Sequence, residues 1–328
     1  MSLTYLEAIV VGAFQGVTEL FPVSSLGHSV LIPALIGGQW AHDLDVSAPE
    51  SPYLAFIVGL HVATAAALLV FFWRDWVRII GGFVTSIRYR RVKTPDERLA
   101  WLIILATIPV GVCGLLLEHL FRTTLGRPIP AAAFLTANGL VLFVGERLRR
   151  RAEPQPATVP VPAKGAQTAA DAHHDTGTDA VTEVLPAAGV VGSTDTSPDV
   201  RLSRQRFGPG ILIGSAQILA LLPGISRSGI TMVAGLLRGL SHTDAARFSF
   251  LLATPVILAA GVLKIPDLFG PLGEGIHGPI LAGSIASFVS AYLAVRFLDR
   301  LFRTRTLTPF AVYCGLAGAA SLLWLSLS

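Results

Sequence analysis

"FGPGILIGSAQILALLPGISRSGITMVAGLL", residues Phe207–Leu237, is apolar almost throughout and carries one charge, Arg227, near its middle. A bilayer core takes about 20 apolar residues to cross, so the stretch is long enough. Pro223, Gly224, Ser226 and Ser228 interrupt it where a spanning helix would be most regular. Irregular backbone at membrane depth is tolerated only where protein or a water-filled cavity satisfies its polar groups. The stretch therefore either crosses or forms a re-entrant helix–loop–helix that enters and leaves by one face.

The surrounding chain sets this choice in a membrane. Hydrophobic residues make up 52% of the 328 residues and charged residues only 14%. Soluble domains carry about 25% charged residues, so the composition fits an all-α polytopic membrane protein. Six further stretches have the length and apolarity of spans, at roughly 53–73, 101–118, 129–146, 248–264, 276–295 and 307–327. Trp73, Trp76, Trp101 and Trp324 fall near their ends, as in an aromatic belt. The N-terminus has no basic region and carries Glu7, so it does not read as a cleaved signal peptide. Cys113 and Cys314 lie in apolar runs and read as small packing residues.

Basic residues decide the topology. If the broken stretch does not cross, segments 74–98, 149–206, 238–247 and 298–308 share one side and hold 19 Lys and Arg. The opposite side then holds only Arg122 and Arg127. A crossing would move the loops at 238–247 and 298–308 outside, against the positive-inside rule. A second broken stretch, Ala8–Ala41, contains "QGVTELFPVSSLGH" and resembles the first in layout. Aligning Pro22 with Pro223 lays "PVSSLGH" over "PGISRSG" and Ser25 over Ser226. In each half the broken stretch is followed by three spans. The expected architecture is thus six transmembrane helices plus two re-entrant segments in an inverted-topology repeat. The first membrane repeat is residues 1–150 and the second 207–328. Residues 151–206 between them are rich in Ala, Pro, Thr, Asp and Gly and read as a disordered cytoplasmic linker. His173, His174 and Asp175 within it read as solvated linker residues. The segment 74–98 reads as a basic surface facing anionic lipid.

The two breaks gather the chemistry. Gln15 and Glu19 are four apart and share a helix face. Ser24, Ser25 and His28 follow at the first break, and Gly224, Ser226, Arg227, Ser228 and Thr231 lie at the second. Small hydroxyl residues often only join membrane helices. A charge at mid-membrane costs about 2.5–3.5 kcal/mol on insertion scales, so Glu19 and Arg227 mark a functional path. His61, alone in its span, reads as structural. One arginine, several hydroxyls and loop N–H groups at half-helix ends suit an anion, and phosphate above all. Glu19 beside Ser25 and His28 suits acid–base or nucleophilic work. There is no Walker A sequence and no Gly-rich loop after a strand, so the phosphate belongs to a lipid and not to a soluble nucleotide.

These residues resemble the undecaprenyl-diphosphate phosphatase family of the bacitracin-resistance type. Its signatures are an (E/Q)xxxE segment leading into PVSSxGH, and PGxSRSxxT. Here they stand as Gln15–Glu19 leading into Pro22–His28, and as Pro223–Thr231. The resemblance implies hydrolysis of undecaprenyl diphosphate to the monophosphate and phosphate, which recycles the lipid carrier for peptidoglycan and underlies bacitracin resistance. It implies stimulation by a divalent cation, Mg²⁺ or Ca²⁺, with Glu19 as the metal-binding carboxylate. Many family members have Glu where this chain has Gln15, so a second carboxylate is missing here. The implied catalytic residues are Glu19, Ser25, His28 and Arg227. Those implied to bind substrate are Gln15, Ser24, Gly224, Ser226, Ser228 and Thr231. The nucleophile stays open between Ser25, His28 and a metal-activated water. Expected partners are the lipid substrate and membrane lipids, with no nucleic acid, and self-association is open. The expected location is the bacterial cell membrane with the site facing outward. A polyprenyl-phosphate flippase or an anion transporter is the competing reading.

Overall fold

The computed structural model describes residues 3–38, 44, 52–120, 125–152, 198–270 and 275–327. Helices make up every regular element among them. The first arm, α1 (Tyr5–Leu20), opens on a reciprocal cap: the Glu7 N–H donates to Thr4 Oγ1 at 3.2 Å and the Thr4 N–H to Glu7 Oε2 at 2.8 Å. It breaks at Phe21–Ser24 and resumes as α2 (Ser25–Ile36). Then come α3 (Pro52–Phe71), α4 (Trp73–Tyr89), α5 (Pro95–Leu120) and α6 (Pro128–Ala152). After the intervening segment are α7 (Pro198–Ser203), α8 (Phe207–Ser215), a 3₁₀ turn (Ala216–Leu221) and α9 (Arg227–Leu236). The chain ends with α10 (His242–Phe269), α11 (His277–Leu301) and α12 (Thr308–Leu327).

Five of the described helices are long and apolar enough to cross a membrane, or six if the bent pair α3 and α4 forms one span. The arms of the two broken stretches are shorter. At 1.5 Å per residue, neither the 16 residues of α1 nor the 12 of α2 reach across about 30 Å of hydrocarbon. Leu115, Leu116, Val262, Leu263, Leu281 and Leu323 face outward around the bundle, as lipid-facing side chains do.

Small residues decide how closely the arms approach the spans. A Cβ at Gly12 would sit 2.2 Å from the Gly283 carbonyl oxygen, and one at Gly16 would sit 2.3 Å from that of Ser287. With no side chain at either position, α1 lies flat along α11. The halves interlock throughout. The first long helix after each broken stretch pairs with its counterpart (α3 with α10), and so does the last (α6 with α12). Each broken stretch packs on a long helix of the opposite half, α1 on α11 and α8 on α5.

The helix caps of the two broken stretches match one residue away from the sequence alignment. Ser226 caps α9 by accepting the Gly229 N–H at 3.2 Å, and Ser24 caps α2 by accepting the Gly27 N–H at 3.2 Å. Ser24 is therefore the counterpart of Ser226, one residue before the Ser25 of the sequence alignment. Arg227 and Ser25 then hold equivalent places, each the first residue of its second arm.

The basic segment 74–98 is partly helical. After Phe72 the chain turns by 87° into α4, whose Trp73, Val77, Ile80, Val84 and Ile87 form one exposed apolar stripe. Such a helix suits the membrane interface. Of the linker drawn at 151–206, residues 153–197 lie outside the described residues. Its downstream end is the helix α7. Asp199, buried there, accepts from Arg78 and from Arg247 Nε at 2.9 Å, and Arg201 forks onto Asp244 at 2.8 and 3.0 Å. We expect Asp199→Asn to leave Arg78 and Arg247 with Asp75 as their shared carboxylate and to lower stability by about 1–3 kcal/mol. A thermal melt in detergent unchanged by the substitution would show that this clasp contributes nothing.

Candidate active site

The two breaks meet, and hydrogen bonds join them. Ser24 has a positive φ of 70°, a region that non-glycine residues seldom occupy, and Gly224 has a φ of 113°. The Gly224 N–H donates to Ser24 Oγ at 3.2 Å. A Cβ at Gly27 would lie 2.7 Å from Gly224 Cα, and one at Gly224 would lie 2.5 Å from the Ala131 carbonyl oxygen of α6, so neither position has room for a side chain. Ser226 and Ser228 donate to the Phe21 carbonyl at 3.3 and 3.0 Å. Asn138, buried in α6, links both loops: its Nδ2 donates to the Pro22 carbonyl at 3.1 Å and its Oδ1 accepts the Ser226 N–H at 3.0 Å.

The chemistry centres on Glu19, at the last turn of α1. Its Oε1 faces Arg227 Nη2 at 2.5 Å. Its Oε2 accepts the Ser25 hydroxyl and the Gln15 amide N–H, the latter at 3.0 Å, and lies 3.2 Å from His61 Nε2. Both equivalent first residues, Ser25 and Arg227, thus converge on one carboxylate from opposite halves of the chain. Arg227 also donates from Nη1 to the Ala253 carbonyl at 3.2 Å, which anchors the guanidinium to α10. Glu19 and Arg227 are both largely enclosed, with 7% and 15% of their side chains exposed.

The other residues singled out in the sequence are placed differently. The hydrogen bonds of His28 go to Ser24 and Tyr313 and not to Glu19. Its Nδ1–H donates to the Ser24 carbonyl at 2.7 Å, leaving Nε2 to accept the Tyr313 hydroxyl at 2.8 Å, and the two rings stack. Ser24, Ser226 and Ser228 cap helices or tie the loops together. The Thr231 hydroxyl donates to the Arg227 carbonyl at 2.7 Å, fixing the backbone of the turn that carries the arginine.

The structure corrects one sequence reading. His61 is not an isolated structural histidine. It reaches from α3 to within 3.2 Å of Glu19 and 3.1 Å of Gln15. Sequence reasoning also passed over Asn138, although an asparagine inside the apolar run "AFLTANGLVLFVG" was a readable signal. Nothing local marks Tyr313.

This arrangement holds a carboxylate, a hydroxyl hydrogen-bonded to it and a guanidinium at the junction of two helix-initiating loops. It can activate the hydroxyl and bind a phosphate-bearing group. Comparison with known proteins points to one family. The family model described as "Bacitracin resistance protein BacA" matches residues 8–320. An "Undecaprenyl-diphosphatase" of Mycolicibacterium paratuberculosis is 67% identical over 99% of this chain and 98% of its own. An "Undecaprenyl-diphosphatase 1" of Frankia casuarinae is 56% identical over 97% of each chain. An "Undecaprenyl-diphosphatase 2" of Chromobacterium violaceum is 40% identical over 97% and 98%. On both the family match and these full-length likenesses, the chain belongs to the bacitracin resistance protein BacA family.

Proposed function

We propose that the chain is a membrane phosphatase that hydrolyses undecaprenyl diphosphate to undecaprenyl phosphate and inorganic phosphate. Such an activity recycles the lipid carrier of peptidoglycan synthesis and counters bacitracin. The observation that carries the reading is Glu19, with the Ser25 hydroxyl on one oxygen and Arg227 on the other. The names of the full-length relatives supply the substrate.

In this reading Ser25 is the nucleophile and Glu19 its base. Arg227 exchanges part of its pairing with Glu19 for the diphosphate, with the α10 carbonyl of Ala253 keeping the guanidinium in place. Freed from that pairing, Glu19 takes the Ser25 proton as the oxygen attacks the terminal phosphorus. The bond from that phosphorus to the bridging oxygen breaks, and undecaprenyl phosphate leaves. Water then takes the phosphoryl group, and the proton on Glu19 returns to Ser25. Arg227 stabilises the charge that builds up in both steps. His28, seated on Ser24 and Tyr313, holds the loop that presents Ser25.

The donor set fits a divalent cation. Glu19 offers a carboxylate oxygen. Gln15, 1% exposed, has an amide oxygen that is buried without a hydrogen-bond partner. Mg²⁺ or Ca²⁺ prefers oxygen donors of this kind. Glu19 and Gln15 would hold the ion, and it would neutralise charge on the diphosphate.

Purified protein in detergent should release phosphate from undecaprenyl diphosphate and stop when a chelator is added. The reciprocal packing of the halves would also suit a flippase or anion carrier. A carrier has no two sides to work between in detergent, so no phosphate release there from folded protein would favour transport and overturn the phosphatase reading.

The same reading includes six spans, two re-entrant segments and an inverted repeat in the cell membrane. Support comes from the short arms, the reciprocal packing and the charge asymmetry. The first loop then enters from outside and presents Glu19 and Ser25 to substrate from that face. In a background lacking Cys113 and Cys314, a cysteine replacing Gly38 should react with an impermeant thiol reagent in intact cells. One replacing Thr94 should react only after the membrane is opened. The opposite pattern would invert the topology.

A further inference from the structure

His61 raises a hydrogen-bonding problem that protons alone do not solve. Its Nδ1 lies 2.8 Å from the Ile57 carbonyl, which only accepts, so Nδ1 carries a proton. Nε2 is therefore the atom turned toward the site. It forms a triangle with Gln15 Nε2 and Glu19 Oε2 whose edges are 3.0, 3.1 and 3.2 Å. The Gln15 amide donates along its edge to Glu19. The edge from Gln15 to His61 then needs Nε2 to accept. The edge from Glu19, ionised opposite Arg227, needs Nε2 to donate. A half-turn of the Gln15 amide places its oxygen in the triangle, but then two acceptors face each other across the edge to Glu19. Every assignment leaves one edge mismatched, and the amide atom pointing away is buried without a partner.

A cation against this triangle resolves the mismatch. With the amide turned, an amide oxygen, a carboxylate oxygen and an imidazole lone pair all face one point. Donors about 2.1 Å from an octahedral ion lie about 3.0 Å from one another, which matches the three edges. The Nδ1–H bond to a backbone carbonyl is the usual way a metal-binding histidine is held in orientation. Among the described residues, no three His, Cys, Asp or Glu come together to form a closed metal cage. The triangle supplies one face only, which leaves the other positions for water and phosphate oxygens.

We infer that His61 supplies a nitrogen donor to a divalent-cation site shared with Glu19 and Gln15, and that this donor shifts cation preference from Mg²⁺ and Ca²⁺ toward a transition ion such as Mn²⁺. The inference rests on the phosphatase reading for its purpose but not for its test. Oxygen-only sites suit Mg²⁺ and Ca²⁺, whereas imidazole favours transition ions. In this chain the donor beside Glu19 is a neutral amide, and the imidazole restores the donor strength that a second carboxylate would give.

The test uses the purified full chain in detergent, loaded with Mn²⁺ alone. Electron spin-echo spectra should show ¹⁴N modulation from a directly bound imidazole nitrogen. His61→Gln should lose that modulation and bind Mn²⁺ at least tenfold more weakly. It should also lower the ratio of turnover with Mn²⁺ to turnover with Mg²⁺ at least fivefold. His61→Asn, a smaller amide, serves as a second variant should His61→Gln fail to fold. Wild-type protein that binds Mn²⁺ without nitrogen modulation, or does not bind it, would overturn the inference. So would a folded variant that keeps wild-type Mn²⁺ affinity. Phosphate release with Mg²⁺ in that case would leave the phosphatase reading standing. Nitrogen modulation in a protein that releases no phosphate would sink the phosphatase reading and leave the cation site.

Discussion

Arg227→Ala should lower phosphate release about 10³-fold, a loss of about 4 kcal/mol of transition-state stabilisation. The guanidinium pairs with Glu19 and is anchored on a third element through the Ala253 carbonyl. Its removal leaves the carboxylate to repel the diphosphate. Arg227→Lys should recover a small part of the activity, since lysine keeps the charge but loses the planar fork that grips two oxygens. The loss should fall on both kcat and KM, because the same group binds the ground state and stabilises the transition state. Steady-state kinetics on folded protein check this. Turnover within fivefold of wild type in Arg227→Ala would remove Arg227 from the site.

Glu19→Gln should be as severe in kcat, about 10²–10⁴-fold, with a smaller change in KM. The substitution keeps the volume of the side chain but turns one of its two acceptor oxygens into an NH₂ donor. It removes the base that takes the Ser25 proton and the charge that holds a cation. It also frees Arg227 from its partner, so substrate should bind at least as tightly as before. The expected signature is low kcat with unchanged or lower KM, measured under saturating cation. A parallel rise in KM with kcat preserved would assign Glu19 to binding alone.

Much of this site was legible because membrane burial makes polar residues expensive. Glu19 and Arg227 stand out in apolar runs, and the Pro, Gly and Ser around them mark the breaks. Both broken stretches appear as helix–loop–helix units, and Ser25 lies against Glu19 as its spacing allowed. What could not be read was contact between distant elements. His61 is 42 residues from Glu19 in the chain, and only the packing of α3 against α1 brings them together. Asn138 satisfies both loops at once, a role visible only after the loops are placed side by side. The sequence alignment paired Ser25 with Ser226 by residue type, whereas the serine that caps its helix as Ser226 does is Ser24. Two neighbouring serines, Ser24 and Ser25, made the two registers equally good in sequence. The helix α7 was hidden because its clasp depends on Arg78 and Arg247, which belong to other parts of the chain.

The central claim is that Ser25, activated by Glu19, receives the phosphoryl group. Trapping that intermediate tests it most directly. Protein mixed with undecaprenyl diphosphate labelled in the terminal phosphate, then quenched in acid within the first turnover, should retain label on the peptide that carries Ser25. Phosphoserine survives acid and phosphohistidine does not, so the quench separates the two nucleophiles. Ser25→Ala should show neither label nor turnover. Label that survives only an alkaline quench and maps to His28, or full turnover with no label at any time, would contradict the account.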